Sequence, residues 1–290
     1  MKQYQIGMYE KAAPEEYPLF DILRLCKESG YDFLEISIDR TDKRISRLYD
    51  NGFKQDLFEN IQEIGLPVGS MCLSALGTYT LGHPDPVIEK KAIDIFYHAI
   101  LFAEEVGLRI VQIPACDVPK NDEHTVATDR RYIDNLKRLI NFAAAHSVMI
   151  GLENMEDHYM DSVEKSLRMI QSINSPYFCL YSDSGNITSA AKLNGTDIKK
   201  DLLLGKNHYC AFHLKETKPN KYGGLFYGEG HVDFESVIKT AWNDLGIRRY
   251  VLEYWFTGNP KWKDDMIQAR CLCDEWIKKA HRKGTDDETI

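Results

Sequence analysis

Four side chains capable of holding a metal ion recur at equivalent places along the chain: Glu153, Asp183, His213 and Glu253. Each stands at or near the end of a short apolar run. The runs are Val148–Glu153, Phe178–Asp183, His208–Lys215 and Tyr250–Trp255. Carboxylates with a single imidazole make an oxygen-rich set with one nitrogen. Such a set suits one divalent ion, Mn²⁺, Mg²⁺, Co²⁺ or Zn²⁺. Without a cation the clustered carboxylates would repel, and one would have to take a proton or find a basic partner. Each residue alone has a plainer reading. A strand-end glutamate commonly reaches solvent or pairs with Lys or Arg, and a lone histidine is more often a hydrogen-bonded core residue. The joint placement on successive runs argues for a site.

Those runs are the last four of eight. Tyr4–Tyr9, Phe33–Ile38, Pro67–Leu73 and Arg109–Ala115 precede them. Longer helical patterns follow each run, at about Pro18–Ser29, Asn51–Ile64, Pro86–Val106, Thr125–His146, Ser162–Ile170, Asp197–Leu204, Phe234–Leu245 and Trp262–Ala280. In the third of these, Ile93, Phe96, Ile100 and Ala103 recur at three and four. Gly30, Gly65, Gly107 and Gly246 stand where helices should stop. Strands alternating with helices predict a parallel sheet, and eight units in 290 residues predict one α/β domain over 1–290, a (β/α)8 TIM barrel. The last few residues are expected to be disordered. An open doubly wound sheet would want a Gly-rich loop after its first strand, where this chain has Glu10-Lys11-Ala12-Ala13-Pro14. Barrel enzymes carry their chemistry at the C-terminal strand ends, where the four ligand-type residues fall.

Other polar residues are expected at the same rim. Glu10, Glu156, Asn186, Lys215 and Lys218 are candidate substrate contacts, and Gln112 and Asn154 candidate supports. Their plain reading is loop solvation or helix capping. Glu35, in Phe-Leu-Glu-Ile-Ser-Ile, reads as an ordinary glutamate reaching solvent or a basic partner. The long connections Ser74–Pro84 and Glu216–Val232 are candidate substrate loops. Tyr9, Tyr79, Trp255 and Phe256 could wall a pocket, and Tyr227-Gly228-Glu229-Gly230 permits a tight backbone path near a ligand. There is no H-E-x-x-H, G-x-S-x-G or P-loop pattern.

The formal charge of -8 gives no general attraction to nucleic acid or to an anionic membrane. No run is apolar and long enough to span a bilayer, and no signal peptide is evident. Seven scattered cysteines without a C-x-x-C pair suggest a reducing, cytoplasmic compartment.

The chain resembles the L-ribulose/L-xylulose 5-phosphate 3-epimerase family, also labelled hexulose-6-phosphate isomerase-like, among the xylose-isomerase-like barrels. The residues carrying the resemblance are Gly7-Met8-Tyr9-Glu10-Lys11-Ala12, Met71-Cys72-Leu73-Ser74-Ala75, Leu152-Glu153 and Asp183-Ser184-Gly185-Asn186. His213-Leu214-Lys215-Glu216-Thr217-Lys218-Pro219, Phe226-Tyr227-Gly228-Glu229-Gly230 and Glu253-Tyr254-Trp255 complete it. The resemblance implies one divalent metal on Glu153, Asp183, His213 and Glu253. It implies a sugar or sugar-phosphate substrate whose C3 proton moves between Glu153 and Glu253 through a cis-enediolate. One departure stands out. The family's basic run after Ser-Ala is replaced by Leu76-Gly77-Thr78. This leaves open a different substrate, an unphosphorylated ketose, or a phosphate held elsewhere, by Lys215, Lys218 or Lys221. Alternatives are an aldose–ketose isomerase, a metal-dependent hydrolase such as an endonuclease-like barrel, and a sugar-binding barrel without catalysis. A homo-oligomer, dimer or tetramer, is common for such barrels, and no sequence feature fixes the number.

Overall fold

The computed structural model describes residues 3–286, with side chains to His281. Eight parallel strands close on themselves in sequence order: β1 Gln5–Tyr9, β2 Phe33–Ser37, β3 Val68–Cys72, β4 Ile110–Pro114, β5 Met149–Glu153, β6 Phe178–Asp183, β7 Tyr209–Leu214 and β8 Arg249–Leu252. Pairing of β1 with β8, Gly7 opposite Val251, seals the barrel. The helices are α1 Leu19–Glu28, α2 Asp42–Ile45, α3 Asn51–Ile64, α4 Pro86–Val106, α5 Val126–Ala145, α6 Val163–Ile173, α7 Ser184–Asn194, α8 Ile198–Leu204, α9 Phe234–Lys239 and α10 Trp262–Asp286. The barrel expectation holds. The expectation of a disordered tail concerns residues outside those described.

Local chemistry starts and stops the helices where the sequence indicates. Asp85 accepts the Val87 N–H ahead of Pro86, and α4 ends at Gly107 with φ +80°. Thr125 and Thr128 cap α5 reciprocally. Leu, Ile and Phe residues of the outer strand faces pack against the helices and form the main core.

The inner faces are different. Side chains alternate along a strand, so Gly151 and Glu153 point inward together, as do Tyr181 and Asp183, Ala211 and His213, and Val251 and Glu253. A small separate apolar cluster, with Tyr9, Phe33, Cys72, Tyr181, Ala211 and Val251, fills the barrel below the rim. Gly151 has no side chain because Tyr181 lies there; a Cβ would sit 2.7 Å from the Tyr181 ring. The pairing register shifts at Leu34/Glu35 and again at Leu180/Tyr181. Such irregularities re-aim side chains near functional sites.

Two segments differ from the sequence expectation. Residues Ser184–Asn194 form α7, where a loop before a single helix was expected. Ser, Gly and Asn are weak helix formers, but here α7 is buried along most of its length and tertiary packing decides. The eighth strand ends at Leu252, although the Glu253 N–H continues the ladder to Leu214 O at 3.0 Å.

Candidate metal centre and active site

Glu153, Asp183, His213 and Glu253 converge at the C-terminal mouth of the barrel. One ligand atom from each lies within 4.8 Å of the others, and all four residues are buried. His213 Nδ1 is 2.9 Å from Glu253 Oε2 and 3.5 Å from Glu153 Oε1. Gln112 orients Glu153 by donating to its Oε2 at 2.5 Å. Asp183 is divided between two tasks. Its Oδ1 accepts the Asn186 N–H at 2.7 Å and so caps α7, whereas its Oδ2 has no hydrogen-bond partner.

Asp183 Oδ2, His213 Nδ1 and Glu253 Oε2 are all buried without hydrogen-bond partners among the described residues. Nδ1 and Oε2 are close but out of line for a hydrogen bond with each other. Buried polar atoms ordinarily find partners, so several orphans aimed at one point indicate a missing one. Carboxylate oxygens with an imidazole nitrogen are the donor set of a divalent cation, and the residues fit one.

The remaining ring nitrogen fixes which atom faces that point. His213 Nε2 donates to Glu35 Oε1 at 2.6 Å. The Glu35 Oε2 accepts from Tyr181 Oη and Ser70 Oγ, both at 2.7 Å. Glu35 is fully buried beneath the site. This corrects the sequence reading of Glu35 as a glutamate reaching solvent or a basic side chain. A carboxylate behind a histidine sets the tautomer and ring orientation of a metal ligand and raises its basicity. The tautomer follows from the hydrogen-bond network.

Electrostatics agree with a crowded anionic site. Burial pushes Glu153 up, and the nearby Glu253 charge adds to this against the pull of His213 and Lys215. Burial raises Asp183 to about 7, opposed by Lys215 and aided by Glu253 and Glu153. Burial acts upward on Glu253 too, but Lys215 and His213 more than reverse it, to about 2. Burial would lower Lys215, and the charges of Asp183, Glu253 and Glu153 instead carry it above the ordinary lysine range. Its Nζ lies 3.2 Å from Asp183 and 3.8 Å from Glu253.

A cavity of about 470 Å³ opens above these groups. Glu156, Asn186 and Lys215 line it, as do Tyr9 and Trp255. Other expected residues lie elsewhere. Glu10 is buried and does not line the cavity; its carboxylate binds Arg44 at 2.8 Å, Arg47 at 2.9 Å and the Ser37 N–H at 2.8 Å. Lys218 is exposed, outside the lining, and its backbone pairs with Lys221 across a tight turn. Tyr79 and Phe256 pack beside the main core. The Tyr227–Gly230 turn closes on protein rather than on the cavity. Gly228 N–H donates to Glu216 Oε2 at 2.9 Å, and Tyr227 Oη donates to Leu214 O at 2.7 Å. Glu216 also accepts from Val232 N–H at 3.1 Å, so this buried carboxylate braces the loop.

The chain matches the xylose isomerase-like TIM barrel family over residues 23–271. It is 34% identical over 284 residues to the L-ribulose-5-phosphate 3-epimerase UlaE of Shigella sonnei, covering 98% of this chain and 97% of the relative. Among solved structures, an L-ribulose 3-epimerase superposes with a TM-score of 0.76 at 18% identity, covering 99% of this chain and 98% of the other. The zinc-bound IOLI protein gives 0.75 at 19% identity, over 95% and 99%. At these identities the structures speak for the fold alone. No helix among the described residues is long and apolar enough to cross a membrane. The chain belongs to the xylose isomerase-like TIM barrel family, and the curated relatives that span its length are epimerases.

Proposed function

We propose that the chain is a divalent-metal-dependent ketose 3-epimerase. The observation that carries the reading is the convergence of Glu153, from β5, and Glu253, just past β8, on His213 Nδ1, 3.5 and 2.9 Å from it, with both carboxylates lining the cavity. Inverting a carbon that bears a hydroxyl needs a base on one face and an acid on the other. Two carboxylates on strands separated by two others can flank such a carbon. Mn²⁺, Mg²⁺, Co²⁺ or Zn²⁺ held by Glu153, Asp183, His213 and Glu253 would polarise the ketose carbonyl and acidify the adjacent C–H. The name of the UlaE relatives and the zinc in the IOLI structure support this reading.

Within it, Glu153, held by Gln112, removes the C3 proton in one direction. Glu253 delivers a proton to the opposite face, and the roles exchange in the reverse direction. The substrate passes through a cis-enediolate, beside which Lys215 places a positive charge. Asn186 and Glu156 hold substrate hydroxyls. Cysteine usage supports a cytoplasmic location, since no disulfide joins any of the seven cysteines among the described residues. A homo-oligomer remains part of the proposal.

The test is proton NMR in D₂O with a ketose and each metal in turn. Turnover should place deuterium at C3 and yield the C3 epimer. Glu153→Gln and Glu253→Gln should each lower the rate by about 10²–10⁴-fold, the usual contribution of a positioned acid or base. An aldose product, or unchanged C3 exchange in both variants, would overturn the assignment.

A further inference from the structure

We infer that the cavity is built for an unphosphorylated ketose. The inference rests on reading the site as a ketose epimerase, and it comes from the way the cavity's charges are spent.

Three cations line the cavity: Lys11, Lys120 and Lys215. Each is already paired. Lys11 Nζ is 2.8 Å from Asp39 Oδ2. Lys120 Nζ is 2.5 Å from Glu156 Oε1 and also lies 4.6 Å over the Tyr222 ring. Lys215 sits between Asp183 and Glu253 on the floor. No arginine lines the cavity among the described residues. Counted with their partners, the two rim pairs are neutral. The floor holds three carboxylates against Lys215, so one divalent ion brings it to neutrality as well. The loaded cavity then has no spare positive charge.

A phosphate ester brings nearly two negative charges. It could gain a cation only by drawing Lys120 from Glu156 or Lys11 from Asp39. Glu156 is only 13% exposed in its side chain, so stripping its partner would leave a poorly hydrated carboxylate beside the phosphate. Lys218 and Lys221 are exposed and do not line the cavity. Protein sites for phosphate normally offer arginine forks or free backbone N–H groups as well.

The polar atoms that are free match hydroxyls instead. Asn186 donates with Nδ2 to Asn154 O at 2.9 Å, which leaves its Oδ1 buried without a partner at the cavity wall. That oxygen can only accept a hydrogen, which a sugar hydroxyl supplies and a phosphate dianion does not. Ser74 Oγ is also buried, unpartnered and in the wall; as both donor and acceptor it serves a hydroxyl or a phosphate oxygen equally. Trp255, 40% exposed at the rim, offers an apolar face to the C–H side of a sugar where a phosphate would need donors.

The test compares L-ribulose with L-ribulose 5-phosphate on the Mn²⁺-loaded full chain, with D-tagatose and D-allulose as free hexuloses. The expected result is a kcat/KM for the best free ketose above that for the phosphorylated one, by about tenfold. A ratio at or below one overturns the inference and leaves the epimerase reading standing. Absence of C3 deuterium incorporation with every sugar overturns the epimerase reading and this inference with it. Glu156→Gln supplies a second measurement. It frees Lys120 and should shift the ratio severalfold toward the phosphorylated sugar; an unshifted ratio contradicts the charge account.

Discussion

His213 gives its Nε2 hydrogen to Glu35, a fully buried carboxylate 178 residues away in sequence, at 2.6 Å. The other ring nitrogen is thereby turned into the space shared by Glu153, Asp183 and Glu253. Glu35 touches no ligand-facing space itself and acts as a positioning residue.

Glu35→Gln keeps the shape but places an amide where Tyr181 and Ser70 both donate. Metal affinity should fall by about 10–100-fold, the usual loss when such a partner is altered. Isothermal titration with Mn²⁺ reads this directly, and circular dichroism checks that the barrel persists. Unchanged affinity in a folded variant would show that Glu35 only fills the barrel.

Chelation should abolish turnover, and metal should restore it. A metal that binds only the folded state also stabilises it, by about 2.7 kcal/mol at a hundredfold excess over its Kd. Thermal unfolding of the stripped protein, with and without added Mn²⁺ or Zn²⁺, measures the gain. A melting curve that ignores every divalent ion tried would leave the three orphaned ligand atoms of Asp183, His213 and Glu253 without an explanation.

Gly185 lies in the first turn of α7, against the end of β7. A Cβ there would come within 2.5 Å of Thr217 Cγ2 and 2.9 Å of Lys215 O. The backbone oxygen cannot swing aside. Gly185→Ala should therefore destabilise by about 1–3 kcal/mol despite alanine's better helix propensity. Denaturant titration would show it, and a neutral or stabilising result would mean that α7 can lift off β7 freely.

Asp274 on α10 binds Tyr4 Oη, with Arg270 and Lys278 each 3.0 Å away. Burial acts upward on its carboxyl, but Tyr4, Lys278 and Arg270 together outweigh it and bring it down to about 2. A carboxyl lowered by folding adds stability above its unfolded value near 4, and that stability is lost as pH falls through 2. Asp274→Asn should be less stable near neutrality by under about 1 kcal/mol, since the group is partly solvated. The gap to the unaltered chain should close between about pH 4 and pH 2. A pH-independent gap would argue for packing instead of charge.

The barrel was legible because eight short apolar runs and their helices keep their rhythm through the chain. Glu153 and Asp183 close their strands, His213 is next to last in β7 and Glu253 falls one residue past β8, so strand position alone gathers all four at one rim. Glu35 was not legible. Its alternation is that of any strand glutamate, and its partners Tyr181 and His213 come from strands across the barrel. The pairing of Glu10 was hidden for the same reason: its arginines, Arg44 and Arg47, lie in the next connection, and nothing local announces them. The α7 helix was hidden because its opening residues favour turns, and burial overrides that preference.

The cap of α7 has a consequence for how this protein tolerates change. One oxygen of Asp183 starts a helix while its twin faces the cation position. Two selective demands therefore fall on a single side chain. An asparagine could satisfy the first and weaken the second; an alanine would fail both. Drift toward a metal-free descendant would have to begin elsewhere in the quartet, where no helix hangs on the outcome.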